Sequence, residues 1–137
     1  SYKIFTDGGS RANPSKAASA AVIYDPAGNL RLICGKYLGI ATNNVAEYTA
    51  VLIALTDLGN SLGVLSKDTR IELFADSNLV VSQLNGVFRI KKPDLSKIAA
   101  QIKTLEKNFA EVTYQHIPRE KNTEADREVN KILDSQN

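Results

Sequence analysis

Apolar and polar residues alternate from the first positions of the chain. "YKIFTD" (2–7) has this period and is rich in β-formers, which predicts a strand. "SAAVIYD" (19–25) and "LRLICGKYL" (30–38) predict two more, joined by "PAGN", a tight turn built on Pro26 and Gly28. The three read as an antiparallel meander. From Asn44 the period lengthens: Ala46, Tyr48, Ala50, Val51, Ile53, Ala54 and Leu58 suit an amphipathic helix ending near Gly59. A loop through "NSLGVLSKD" leads to a fourth strand, "RIELFA" (70–75), and a helix through "SNLVVSQLN" that stops at Gly86. Leu95, Ile98, Ile102, Leu105 and Phe109 recur at helical spacing and predict a helix over 94–108. "VTYQHI" makes a fifth strand and "TEADREVNKILDS" a closing helix. This β-β-β-α-β-α-α-β-α order implies an α/β fold, a mixed sheet with helices on its faces. The fourth strand is reached through a helical crossover, which favours parallel pairing.

Size and composition narrow this picture only a little. A chain of 137 residues, 43% hydrophobic and 23% charged, fits one globular domain over 1–137. Single apolar runs such as "VLIAL" fall far short of a membrane span, which needs about 20 residues. No basic-then-apolar leader opens the sequence, and the lone Cys34 sits in an apolar run as a small core residue. Cytoplasm is therefore the expected compartment. The net charge of +2 says less than its distribution. Arg89, Lys91 and Lys92 cluster beside Phe88 in "FRIKKP", and Arg119 with Lys121 forms a second basic spot. A solvated face explains most such clusters; a phosphate-contacting patch requires a site nearby.

Candidate chemistry begins with "IFTDGGSRANP" (4–14), a strand that runs through Asp7 into two glycines. Turn chemistry with positive φ at Gly8 and Gly9 is one explanation. The other is that Asp7 holds a metal ion while the glycines admit a polymer backbone. Three further acids bear on the choice, and each has a local role available. Glu47 follows Asn44 by three, the spacing of a capping box, and Asp126 follows Thr123 in the same way. Asp76 can cap the helix that begins at Ser77. Taken together, the four point elsewhere. If strands one and four are adjacent and parallel, Asp7 and Asp76 stand side by side at their carboxyl ends, where open α/β sheets place ligands. Glu47 and Asp126, in opening helical turns, can face the same edge. Four converging carboxylates repel unless cations lie between them, and an all-oxygen donor set favours Mg²⁺ or Mn²⁺. Two such ions about 4 Å apart activate water and stabilise the leaving oxygen of a phosphodiester. The residues by themselves thus support a metal-dependent phosphoryl-transfer site.

"DGGSRANP", "TNNVAEYTAVLIAL", "LFADSNLVV" and "HIPREKNTEADREVN", in this order over nearly the whole chain, resemble type 1 ribonuclease H. The resemblance implies a ribonuclease H-like fold with a five-stranded mixed sheet in the order 3-2-1-4-5. It implies endonucleolytic cleavage of the RNA strand of RNA/DNA hybrids with two Mg²⁺ ions, leaving 3′-hydroxyl and 5′-phosphate ends. Asp7, Glu47, Asp76 and Asp126 resemble the metal-binding quartet. Gly8, Ser10 and Asn13 resemble the loop along the RNA strand, Asn43 and Asn44 the pair in the minor groove, and Thr42 a contact to a DNA phosphate. An A-form-like minor groove exposes 2′-hydroxyls that short amides can read. His116, ten residues before Asp126, has the spacing of the family's assisting histidine. "IPRE" stands where many relatives carry a flexible glycine loop, and Arg119 is the rival for the assisting role because a guanidinium holds a phosphate.

Two departures accompany the resemblance. "RANPSKAASA" has fewer glycines than the family's first loop, and "GVFRIKKPD" is too short for the basic handle helix of some relatives. Hybrid affinity then leans on Arg89, Lys91 and Lys92, with Phe88 stacking on a sugar or base. The expected partner is an RNA/DNA hybrid, with duplex RNA as a second candidate, no membrane, and a monomeric state. A different nuclease or strand-transfer domain, a silent hybrid-binding module, and a domain of a reverse transcriptase are the competing functions on this scaffold.

Overall fold

The computed structural model describes residues 1–136. Five strands form one sheet in the order β3-β2-β1-β4-β5, the order that the motifs imply. Strands β1 (Tyr2–Ser10), β2 (Ser15–Tyr24) and β3 (Leu30–Ala41) are the antiparallel meander, and β4 (Arg70–Ala75) and β5 (Glu111–His116) run parallel to β1. β1 and β3 run past their predicted ends, and β2 begins four residues before its predicted start. The turn at 25–29 is closed by Asp25, whose carboxylate accepts the N–H groups of Ala27 and Asn29 while Gly28 takes φ 88°. That positive φ is why a glycine stands there.

Helix α1 (Asn43–Leu62) lies across one face of the sheet. It does not stop at Gly59: it continues to Gly63, whose φ of 58° ends it, and a 3-10 segment fills most of the predicted loop. Tyr48, Val51, Leu55 and Leu58 pack with Ile4, Ile23, Ile71 and Leu73 of the sheet and Ile102 of α3 (Pro93–Glu106) to make the main core. As one helical run, Asn43–Asp68 is long and apolar enough to cross a membrane, which the short individual runs did not suggest. Its apolar face is this protein's core contact. Cys34 is buried in the same cluster, and burial, reinforced by Asp57, pushes its thiol up to about 12.

The opposite face carries α4 (Thr123–Asp134), whose Val129 and Leu133 rest on Ala18 and Ala20. The small residues of "KAASAAV" explain both contacts, because β2 is buried on its two faces and helices must approach it closely. Helix α2 (Asn78–Leu84) is short. Residues 85–92 join it to α3 without helix, so no handle projects there.

Candidate active site

The site grows out of strand register. β1 and β4 pair up to Thr6 opposite Ala75, so Asp7 and Asp76 are the next residues on adjacent strands. β4 ends there, while β1 runs on to Ser10 against β2 alone. Residues 7–10 therefore keep one strand edge open.

Gly8 brings the third acid to that edge. A Cβ on Gly8 would stand 2.2 Å from the carbonyl carbon of Ala46 and 2.4 Å from the amide nitrogen of Glu47. Only a residue without a side chain lets α1 cross β1 in backbone contact, and the crossing point is Glu47 itself. The Ser19 hydroxyl donates to Ala46 O at 2.6 Å and fixes the same turn from β2. Neither Gly8 nor Gly9 has positive φ, so the turn explanation fails. Gly8 is buried against the protein's own helix and also lines the cleft at the acids.

The capping explanations fail as well. α1 is capped by Thr42, whose Oγ1 accepts from Val45 N, rather than by Asn44; Glu47 lies beyond the capping-box position. α2 is capped by Ser77, whose Oγ accepts from Val80 N, and not by Asp76. α4 begins after Asn122 instead of Thr123. None of the three acids is needed by its own helix terminus.

Asn122, 1% exposed, ties the edge together. Its Nδ2 donates to Thr6 O at 2.8 Å and Asp76 Oδ2 at 3.3 Å, and its backbone carbonyl accepts from Asp126 N at 3.2 Å. One buried amide thus links β1, the Asp76 carboxylate and the first turn of α4. Asp7, Glu47, Asp76 and Asp126 line a single cleft of about 280 Å³, together with Gly8, Ser10, Arg11, Asn43, Arg119 and Asn130 among others.

Electrostatics shows what the cleft lacks. Burial and the charges of Asp76, Asp126 and Glu47 push the Asp7 carboxyl up to about 8, against the Gly8 N–H. Burial raises Glu47 to about 7, helped by Asp76 and opposed by the Ser77 hydroxyl and Arg119. Glu47 Oε2 is buried with no hydrogen-bond partner. Among the described residues no three acid, His or Cys side chains close into a ready-made metal cage. The cleft lining nevertheless places the four acids together, and their mutual repulsion is what a bound cation would relieve. An orphaned carboxylate oxygen and an all-oxygen donor set fit a hard divalent ion.

The remaining candidate residues fall into two groups. Asn13 and Asn43 lock the first loop to α1: Ser10 N donates to Asn43 Oδ1 at 2.7 Å and Asn43 N to Asn13 Oδ1 at 3.0 Å. Asn44 turns the other way, into a separate groove with Arg89, Lys91 and Lys92, while Phe88 is half-exposed nearby in sequence. Arg119 lines the acidic cleft; His116 does not. His116 is exposed at the end of β5, and Ile117 N continues the ladder past it by donating to Ala75 O at 3.0 Å. Asn122, Arg11 and Asn130 escaped sequence reasoning, since each owes its place to a partner more than 40 residues away or to a helix face.

A family profile described as "Reverse transcriptase-like" matches residues 5–132. The chain is 39% identical over 133 residues to "Bifunctional protein Rv2228c" of Mycobacterium tuberculosis, a match covering 96% of this chain and 35% of that protein. It is 36% identical over 133 residues to "Ribonuclease HI" of Halobacterium salinarum, covering 95% and 63%. It therefore spans about a third of the mycobacterial relative and under two thirds of the archaeal one. The crystal structure of LC11-RNase H1, isolated from compost, in complex with an RNA/DNA hybrid superposes with a TM-score of 0.93 at 39% identity, covering 99% of each chain. The sheet order, the motifs and a profile spanning most of the residues agree, and the chain belongs to the type 1 ribonuclease H family.

Proposed function

We propose that this chain is a divalent-metal-dependent endoribonuclease that hydrolyses the RNA strand of RNA/DNA hybrids, leaving 3′-hydroxyl and 5′-phosphate ends. The observation that carries this reading is the convergence of four acids from four separate segments on one cleft, with a buried Glu47 oxygen lacking any partner. Asp7, Glu47, Asp76 and Asp126 would hold two ions, Mg²⁺ or Mn²⁺. When bound, these supply a nucleophile at neutral pH and charge neutralisation for the leaving oxygen.

The protein's own groups do the rest. With their Oδ1 atoms occupied by backbone N–H groups, Asn13 and Asn43 retain Nδ2 donors for 2′-hydroxyl oxygens. Thr42 caps with its oxygen lone pair and keeps its O–H for a phosphate. Arg119, which lines the cleft within electrostatic reach of Glu47, would hold the scissile phosphate. The RNA/DNA hybrid bound by LC11-RNase H1 supports the choice of substrate.

The test is cleavage of a 5′-labelled hybrid in Mg²⁺ beside duplex RNA and duplex DNA. Internal cuts in the RNA of the hybrid are expected, with a loss of about 10³-fold or more in Asp7→Asn. An Asp7→Asn variant that cuts as well as the parent refutes the proposal. Cutting of duplex DNA in preference to the hybrid refutes it too.

A further inference from the structure

Two cationic side chains line the acidic cleft, Arg11 and Arg119. Arg119 faces Glu47, whereas Arg11 is turned toward α4. Arg11 is the first residue past β1, in the loop that also carries Asn13. Its Nη2 donates to Asp134 Oδ1 at 2.6 Å and Asn130 Oδ1 at 3.2 Å, with a longer contact to Asn130 O at 3.5 Å. Asn130 is itself anchored, donating from Nδ2 to Asp126 O at 3.0 Å.

All of these contacts use one nitrogen. Among the described residues, Nη1 and Nε of Arg11 take no hydrogen bond. The pair is also a poor stabiliser, because the side chains are 46% and 67% exposed and water screens such pairs. What Asp134 and Asn130 achieve is orientation: they hold the guanidinium at the cleft rim by Nη2, with the N–H groups of Nε and Nη1 still available, one on each edge. A polyanion laid across four acids needs cations at the rim beyond any ions bound between them. A guanidinium is always charged, and either free N–H can donate a charge-assisted hydrogen bond to a phosphate oxygen.

We propose that Arg11 is a substrate-binding residue that grips a non-scissile phosphate of the RNA strand, with Asp134 and Asn130 as its positioning residues. This rests on the ribonuclease H reading of the same cleft. Arg11 and Arg119 then hold the strand from two sides, which sets its register over the four acids.

The experiment is steady-state cleavage of a hybrid by the unmodified chain, Arg11→Ala, Arg11→Lys and Asp134→Asn across a salt series. Arg11→Ala is expected to raise KM roughly tenfold with kcat within about twofold, the signature of lost ground-state binding. Its log KM against log salt should flatten by about one phosphate contact, a slope change of roughly 0.7–0.9. Arg11→Lys should restore the slope but only part of the KM, since an ammonium is a point charge. Asp134→Asn should keep the slope and raise KM less than Arg11→Ala. An Arg11→Ala chain with unchanged KM and salt slope overturns the proposal, and so does one whose kcat falls with its thermal midpoint, the mark of a structural clasp. Failure of the unmodified chain to cut the hybrid strikes instead at the ribonuclease H reading.

Discussion

Asp7 is half-buried with three carboxylates around it, and that crowding makes its charge a cost to the fold. Its carboxyl is pushed from an ordinary 3.8 to about 8, so the folded chain binds the proton more tightly than the unfolded one. The resulting stability is fully present below about pH 4 and is lost as pH rises toward 8. Glu47 acts in the same direction up to about 7. In chelator, Asp7→Asn should therefore melt higher than the parent at pH 8.5, by about 1–3 kcal/mol or several degrees, and the gap should shrink at pH 5. Mg²⁺ should raise the parent's midpoint at pH 8.5 and leave Asp7→Asn nearly unmoved. Calorimetry with and without Mg²⁺ checks both. The assisting role is a second matter at this scale. Arg119→Ala should lower kcat about 10–100-fold, whereas His116→Ala should leave the pH–rate profile unchanged, because His116 lies outside the cleft. A His116→Ala chain whose kcat falls as far as that of Arg119→Ala would reverse the assignment.

Helix starts carry the acids into place without using them as caps. Thr42, Ser77 and Asn122 hold the cap positions, which leaves Glu47, Asp76 and Asp126 clear of their own helix ends. Of these caps Asn122 matters most, because it spans two strands and a helix. Asn122→Ala leaves Thr6 O without its buried donor and frees Asp76, and it should cost about 1–3 kcal/mol. The Mg²⁺ concentration for half-maximal activity should rise as well. Melting curves and a metal titration test this together. Loss of stability with an unmoved metal dependence would reduce Asn122 to a structural residue.

At the scale of the whole molecule, the connector 85–92 carries a basic groove and the cleft rim two arginines, with no handle between α2 and α3. Arg89, Lys91 and Lys92 share a groove with Asn44, beyond the start of α1 from the acids. Replacing all three with Ala should flatten the salt dependence of hybrid binding, measured on Asp7→Asn, by up to about 2.5 in log–log slope. An unchanged slope would show that this groove is merely a solvated face.

Much of this molecule is legible without coordinates. Alternation marks the strands, the longer period marks the helices, and the crossover before "RIELFA" makes its strand parallel, since a parallel partner cannot be reached by a tight turn. That topology alone sets Asp7 beside Asp76. Tertiary structure decided the rest. Capping-box spacing at 44/47 and 123/126 is locally as good as the true caps, and the choice depends on the direction from which the chain arrives at each helix. Gly8 looks like turn chemistry until α1, some forty residues on, is found pressed against it. Asn122 and Arg11 resemble ordinary loop residues for the same reason: their partners are distant in sequence. Local pattern encodes periodicity and backbone preference, whereas the contacts that assemble a charged cleft belong to the packed chain.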